Sequence, residues 1–212
     1  MIEKMLSNLD WLGHDCFRLR AAGQIVYFDP FQLSGDLPPA DLILVSHEHF
    51  DHCSPDDIRK IRQATTVIIA EKQAAAKLSG KVTAMQPGQT ATSGPFTIEA
   101  VHAYNTNKKF HPRANNWLGY IVTVEGVRIY HAGDTDYIPE MANYEADIAL
   151  LPVSGTYVMT AEEAARAALD INPKVAVPMH FGSIVGEQSD AERFAAKLVN
   201  KIKVHIPQKK SN

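Results

Sequence analysis

The sequence has few cysteines, no long apolar segment and no excess of positive charge. Its two cysteines, Cys16 and Cys53, exclude a disulfide framework. No apolar run approaches the roughly 20 residues that cross a bilayer, and residues 1–13 lack the apolar core of an export signal. The formal net charge of -3 gives no general attraction to nucleic acid or anionic lipid. We therefore expect a cytoplasmic protein whose partners are neither membranes nor nucleic acids.

The composition is that of a folded globular protein. Hydrophobic residues make up 45% of the 212 residues and charged residues 21%, whereas disordered chains are poorer in large apolar side chains. A chain of this length fits one domain, so we expect a single unit over residues 1–212. Homo-oligomerisation is compatible with this composition.

Short β-type runs recur along the chain and alternate with helical segments near both ends. We predict strands at residues 17–20, 24–30, 41–47, 66–70, 96–103, 118–134, 147–153 and 174–180. Glu125-Gly126 divides the longest run into a hairpin of residues 120–124 and 127–131. The runs "LILV", "IALL" and "VAV" are apolar on both faces, which indicates central strands. The pattern predicts sheets covered by helices.

Helix starts are marked by capping residues. Ser54 before Pro55 is a predicted N-cap, and Thr160 with Glu163 has the spacing of a capping box. The same spacing occurs in Ser189 with Glu192. A fourth helix is predicted over "EKQAAAKL", ending before Gly80, and the last residues, 208–212, are predicted to be frayed.

The stretch "SHEHFDH" places three histidines and an aspartate within six positions, directly after an apolar run. His47 and His49 alternate along the chain and point the same way, while Asp51 and His52 approach from the turn that follows. Neutral imidazoles and carboxylates are ligands of Zn²⁺ and related ions, and four of them can divide between two ions. A solvated histidine-rich loop is the alternative interpretation. We favour a metal site.

Further candidate ligands follow other β-type runs: Asp29, His102, Asp134 and His180. If those strands lie side by side and point the same way, the four side chains converge on one rim with the "SHEHFDH" cluster. Taken singly, each has a structural explanation: a turn at Asp29, a helix cap at Asp134, and hydrogen-bonded core histidines at the other two positions.

These motifs, "FDP", "SHEHFDH", "VHA", "HAGDT" and "PMHFG" in this order, resemble the metallo-β-lactamase superfamily from about residue 11 to residue 182. With "GH" at Gly13-His14, the chain is most similar to the ascorbate-6-phosphate-lactonase-like group. The resemblance implies an α/β fold, a four-layer αββα sandwich of two mixed β-sheets. It also implies that Asp134 bridges two metals, that Asp29 orients a ligand, and that each metal has three further ligands: His47, His49 and His102 for one, and Asp51, His52 and His180 for the other.

Two divalent ions that share a water lower its pKa and polarise the electrophile, so we expect a metal-activated hydroxide as nucleophile. The metals are expected to be zinc, with manganese and iron as alternatives. Asp51 and Asp134 are the nearest carboxylates to orient the hydroxide or take its proton. His14 either binds the substrate or donates a proton to the leaving group, with a structural hydrogen bond as the alternative, and His131 is assigned a supporting role beside the ligands.

The segment of residues 105–117 concentrates basic side chains, including Lys109, His111 and Arg113. It is interpreted either as an anion clamp over the metals, for a phosphate or carboxylate of the substrate, or as an ordinary solvated loop. Tyr157, between a strand end and a capped helix, is expected to face the same pocket.

The function predicted is metal-dependent hydrolysis of a small-molecule lactone, ester, amide or phosphoester by a binuclear centre. The first alternative is a phosphodiesterase or nuclease, for which the composition offers no basic surface. The second is a non-catalytic metal- or ligand-binding module, whose mark would be a missing ligand residue.

Overall fold

A computed structural model describes residues 1–210 of the chain. It has five α-helices: α1 (Ile2–Ser7), α2 (Pro55–Ile61), α3 (Lys72–Lys77), α4 (Ala161–Ile171) and α5 (Gln188–Leu198). Two 3₁₀ turns span Arg113–Asn115 and Pro139–Asn143. The strands are β1 (Leu9–Gly13), β2 (Cys16–Ala21), β3 (Gln24–Phe28), β4 (Ala40–Val45), β5 (Arg62–Ala70), β6 (Lys81–Ala84), β7 (Thr90–Ser93), β8 (Phe96–His102), β9 (Leu118–Val124), β10 (Val127–His131), β11 (Ile148–Pro152), β12 (Val175–Met179) and β13 (Lys203–Val204).

The strands form two mixed sheets. The first has the order β1-β2-β3-β4-β5-β6, and the second β13-β12-β11-β10-β9-β8-β7. In the first sheet β1 to β3 are antiparallel and β3 to β6 are parallel. In the second, β7 to β10 are antiparallel and β10 to β13 are parallel. The predicted hairpin of residues 120–124 and 127–131 is the pair β9 and β10, and it is confirmed.

Central strands are buried on both faces, as their apolar runs predict. In β4, Leu42 and Leu44 belong to the main core between the sheets. The alternate residues Ile43 and Val45 pack in a second core with α2 and α3, which includes Cys53. Helices α4 and α5 pack together, α4 against β11 and α5 against β12 and β13. These layers confirm the four-layer αββα architecture.

Two of the three predicted capping sites are confirmed. The hydroxyl of Ser54 accepts a hydrogen bond from the Asp57 amide at the start of α2. Thr160 and Glu163 form the capping box of α4. The Ser189 prediction is wrong, because Gln188 is already helical and the capping box of α5 is made by Glu187 and Asp190. The actual capping box lies two residues before the predicted one and uses two acidic residues in place of the usual Ser/Glu pair.

The C-terminal segment is anchored as far as Lys210. Its backbone amide donates to the carbonyl of Trp11 at 2.8 Å, and its ammonium group binds Asp10 at 2.8 Å. The prediction of fraying is therefore wrong for residues 208–210, and residues 211–212 lie outside the described range. Among the helices of residues 1–210, none has the length and apolarity to cross a membrane.

Candidate metal centre

The parallel strands of both sheets direct their carboxyl ends to one rim of the sandwich. Polar residues follow them there: Asp29 after β3, His47 after β4, Asp134 after β10, Ser154 after β11 and His180 after β12. Carboxyl ends of parallel strands are where open α/β sheets bind ligands. The predicted convergence of strand-end residues is thus present for these positions.

A first cluster at the rim consists of His47, His49, His111 and Asp134, with one ligand atom from each lying within 4.8 Å of the others. His47 Nε2 lies 3.0 Å from His49 Nδ1. His111 Nε2 lies 3.0 Å from Asp134 Oδ2. Three imidazoles and a carboxylate match the donor set of a four-coordinate zinc site.

A second cluster lies on the other side of Asp134. It contains Asp51, His52 and His180, with His14 beside them. The Nε2 atoms of His52 and His180 both lie 3.3 Å from Asp134 Oδ1. The two carboxylate oxygens of Asp134 therefore face different clusters, which is the position of a bridging ligand.

Hydrogen bonds behind the imidazoles fix their orientation. His52 Nδ1 lies 2.8 Å from Asp29 Oδ2, and Asp29 also accepts from the Ser46 amide at 2.7 Å. Serine hydroxyls contact two further Nδ1 atoms, Ser46 that of His47 at 2.9 Å and Ser154 that of His180 at 2.8 Å. Such partners hold the imidazole ring and leave Nε2 facing the cluster. Asp29 is thus placed as predicted, against the back of a ligand histidine.

Several buried polar atoms of the clusters lack a hydrogen-bond partner among the described residues. They are the Nε2 atoms of His52, His111 and His180 and the Oδ1 atom of Asp134. A buried polar atom without a partner costs about 1–3 kcal/mol. Because these atoms belong to the two clusters that meet at Asp134, cations bound in the clusters would satisfy them, so the donor set fits a metal centre.

The clusters pair carboxylates with imidazoles. Burial alone would raise the pKa of Asp134, but His180 and His52 hold it well below its ordinary value. Burial alone would lower the pKa of His180, but Asp134 and Asp15 raise it to about 9. Carboxylates around it raise the pKa of His52 as well, so in the metal-free protein protons on His52 and His180 balance the buried carboxylates. Metal binding needs neutral imidazoles and would release these protons.

Local backbone geometry brings the functional side chains to the rim. His14, Asp29 and His180 adopt left-handed φ values of 53, 41 and 60°, which costs a non-glycine residue about 1–3 kcal/mol. Gly133 has φ +61°, and a Cβ there would lie 2.7 Å from the Leu118 carbonyl. Only glycine allows this close approach of the segment that carries Asp134 to β9.

The sequence model of a family described as a β-lactamase superfamily domain matches residues 8–180, a span that contains every residue of the two clusters. The chain belongs to the metallo-β-lactamase superfamily.

Relatives and solved structures agree with the superfamily assignment. A "UPF0173 metal-dependent hydrolase" of Thermococcus kodakarensis is 35% identical over 95% of this chain and 96% of its own length. A crystallised protein of Parabacteroides distasonis is 38% identical with a TM-score of 0.84, covering 94% of this chain and 91% of that one. The metallo hydrolase Igni18 of Ignicoccus hospitalis, 24% identical with a TM-score of 0.79 over 96% and 95% of the two chains, shares the fold. The prediction of a metal-dependent hydrolase is confirmed as a class.

One predicted ligand of this metallo-β-lactamase fold has to be corrected. His102, the last residue of β8, belongs to neither cluster. Its ring packs edge-on against Tyr104, with centroids 6.1 Å apart, and lines a separate surface cavity with Glu140 and Tyr144. The loop after β8 carries His111 into the first cluster instead. A sequence pattern indicates the direction of a side chain at a strand end. It does not indicate the direction of a histidine that lies nine residues further along a loop.

The turn between β1 and β2 forms one wall of the superfamily site. His14 and Asp15 are the two residues between Gly13 and Cys16, which pair across the hairpin. His14 Nε2 lies 3.2 Å from Asp51 Oδ2. Asp15 is fully buried, and its ligand atom lies with those of His52, Asp134 and His180 in a third group within 4.8 Å. Asp15 was not among the predicted site residues, although its position after "GH" was the available indication.

His131 supports this turn from behind. Its Nε2 lies 2.9 Å from the Asp15 carbonyl oxygen, so that nitrogen carries the proton, and its ring stacks on Phe28 with centroids 5.2 Å apart. Burial lowers the pKa of the His131 imidazole, which keeps it neutral. These contacts agree with the predicted supporting role.

Of the residues considered for an anion clamp, His111 lies in the first cluster, and no Lys or Arg of residues 105–117 lines the cavity over the clusters. Lys108 pairs with Asp136, and Arg113 pairs with Glu140 at 2.9 Å and lies over the ring of Tyr104. Lys109 is exposed and does not line the cavity over the clusters. Carboxylates of the protein itself thus neutralise two of the cations.

An open cavity of about 240 Å³ lies over the two clusters. It is lined by His49, Phe50, Asp51, Phe110, His111, Asp134, Tyr157 and Ile184. Tyr157 is therefore where we expected it, and its contact with a substrate stays a prediction. The lining combines a polar floor with apolar walls, which is the usual composition of a small-molecule site.

Proposed function

We propose that this chain is a binuclear metal-dependent hydrolase of a small-molecule lactone, ester, amide or phosphoester. The observation that carries the proposal is the pair of clusters that share Asp134, with unpartnered Nε2 atoms facing both of its oxygens. His47, His49 and His111 would hold one ion, and Asp51, His52 and His180 the other. Imidazole and carboxylate ligands suit zinc, with manganese or iron as alternatives.

Ions bound there would supply an activated water and polarise the bond to be cleaved. The protein's own contribution is to hold the ligands and to handle protons. Asp51 lines the cavity, and its Oδ2 lies 3.2 Å from His14 Nε2. A proton accepted at Asp51 Oδ2 can pass to His14 Nε2, which gives His14 a role in proton transfer.

The other two candidate functions have less support. The paired state of Lys108 and Arg113 removes the basic surface that a nuclease would use along residues 105–117. A non-catalytic module would lack ligand residues, whereas both clusters have four donors.

The test is metal content with a matched pair of variants, His111→Ala and His102→Ala. Elemental mass spectrometry on chelator-free protein should find about two ions per chain in the wild type and in His102→Ala. His111→Ala should lose the ion of the first cluster. Its hydrolysis of generic ester, lactone and phosphodiester substrates should fall by at least about 100-fold, since even residues behind a ligand are worth 10–100-fold.

Two outcomes of the same experiment would contradict these assignments. Loss of metal in His102→Ala with full metal in His111→Ala would reverse the ligand assignment. Folded wild-type protein that neither binds metal on reconstitution nor hydrolyses any of the three substrate classes would refute the proposed function.

A further inference from the structure

Large apolar side chains surround the mouth of the cavity. Phe50 is 68% exposed, Phe110 49% and Ile184 40%. Within residues 1–210 only three other large hydrophobic residues are exposed: Met1, Leu169 and Val199. Half of the exposed large hydrophobic side chains therefore line one cavity of about 240 Å³. Clustered exposed apolar residues indicate a binding site, whereas single ones need no explanation.

The exposed rings are held in place by other aromatic rings. Phe50 packs edge-on against Phe31 with centroids 5.8 Å apart, and Phe110 against Tyr157 at 4.7 Å. In the sequence, Phe50 lies between His49, which belongs to the first cluster, and Asp51, which belongs to the second. Any group bound between these rings would be within reach of the proposed metal centre, and the fixed rings lower the entropy lost on binding.

The cavity lining has no cationic side chain of Lys or Arg. Among the basic residues of the loop, Lys108 and Arg113 are engaged by Asp136 and Glu140, and the exposed Lys109 does not line the cavity. A phosphate or carboxylate on the part of the substrate away from the metals would therefore lose its hydration without gaining a partner, which is unfavourable. An uncharged apolar group carries no charge whose hydration could be lost, so it avoids this cost.

We propose that the cavity mouth formed by Phe50, Phe110, Tyr157 and Ile184 binds a short, uncharged alkyl or aryl substituent of the substrate. This inference rests on the proposed hydrolase function and narrows its substrates to apolar esters, lactones or amides. The cavity is smaller than the roughly 300–1,000 Å³ of sites for drug-sized ligands, so the substituent is compact.

A second copy of the chain is the competing occupant of these rings. A stable interface between two copies buries about 800 Å² of surface on each partner. The rings here instead surround a concave site, and that site opens onto the two clusters. The geometry therefore favours a small molecule, and the oligomeric state is measured alongside binding.

The experiment uses metal-loaded protein and two matched ligand series. One series is the p-nitrophenyl esters from acetate to hexanoate, with the mono-succinate as the anionic member. The other is the straight-chain alkyl hydroxamates, whose binding is measured by calorimetry without turnover. The variants are Phe110→Ala and Ile184→Ala, and Leu169→Ala, on the exposed side of α4, is the control.

In the wild type and Leu169→Ala, affinity and kcat/KM should rise about fourfold per added methylene until the cavity is filled. Both mouth variants should flatten this dependence, and the mono-succinate should be a poorer substrate than the butyrate. A flat dependence in the wild type, or a preference for the anionic ester, would overturn the inference.

The two proposals fail in different ways. Chain-length-dependent hydroxamate binding without turnover of any ester would uphold the apolar site and count against ester hydrolysis. If the wild type elutes as a dimer in light-scattering chromatography, and Phe110→Ala and Ile184→Ala both elute as monomers, the rings form an interface and the inference is wrong.

Discussion

At the scale of single residues, Asp15 has the least ordinary environment in the site. It is fully buried, and neither carboxylate oxygen has a hydrogen-bond partner among the described residues. Its Oδ2 atom lies 3.8 Å from His52 Nδ1. A buried carboxylate in this state is costly on its own, so its presence beside the second cluster is explained by a cation that it helps to neutralise.

The change Asp15→Asn tests this explanation. It removes, at nearly constant volume, a carboxyl that can ionise when a cation binds beside it, so the affinity of the second cluster for its metal should fall about 10–100-fold. Burial raises the pKa of Asp15 well above its ordinary value, so its carboxyl is protonated in the metal-free protein, and the metal-free variant should be about as stable as the metal-free wild type. Metal titration and thermal unfolding of the metal-free proteins measure the two effects. Unchanged metal affinity together with a less stable metal-free protein would show that Asp15 has only a structural role.

The residues that could be predicted from the sequence are those whose direction is set by a strand. His47, Asp134 and His180 follow β-type runs closely, and the structure brings all three together. His111 and Asp15 could not be assigned in the same way, because their positions depend on the path of a loop and of a tight turn. The basic character of residues 105–117 was evident, but its carboxylate partners, Asp136 and Glu140, lie more than 20 positions away in the sequence.

At the scale of elements, strand β1 is tied to its neighbours by the buried carboxylate of Asp10. This residue binds Arg18 on β2 at 2.8 Å and Lys210 of the C-terminal segment at 2.8 Å. Burial alone would raise the pKa of Asp10, but hydrogen bonds from Lys210 and Arg18 lower it below its ordinary value. The alternation of apolar residues located the strands. It could not reveal this tie, which joins residues 200 positions apart.

Because the pKa of Asp10 is lowered on folding, its contribution to stability is present above the unfolded-state pKa and is lost as the pH falls through the folded-state value. Asp10→Asn should therefore lower the free energy of unfolding at pH 7 by roughly 1.5–3 kcal/mol. The difference from the wild type should shrink in acid. Urea denaturation at several pH values measures it, with Glu3→Gln as the control, since Glu3 makes an exposed pair with Lys203 that is worth little. An equal loss at pH 7 and in acid would contradict the assignment.

At the scale of the whole molecule, the metal centre joins the two sheets. His47, His49, Asp51 and His52 follow a strand of the first sheet, whereas Asp134 and His180 follow strands of the second. The repeated β-type runs and capped helices are enough to predict two sheets covered by helices. The pairing of the two rims across the centre depends on contacts between distant parts of the chain, and for this the recurring histidine and aspartate motifs were the only sequence evidence.

Because ions in the two clusters would bind ligands from both sheets, removing them should destabilise the whole fold. A ligand at 100 times its dissociation constant stabilises the folded state by about 2.7 kcal/mol. For a chain of this size, each kcal/mol corresponds to roughly 2–4 °C in Tm. With two ions bound, chelation should therefore lower Tm by about 10–20 °C in the wild type and in His102→Ala, and by about 5–10 °C in His111→Ala, which starts with one ion fewer. Scanning calorimetry with and without chelator measures the shift. An unchanged Tm after verified metal removal would mean that the two rims are held together by packing alone.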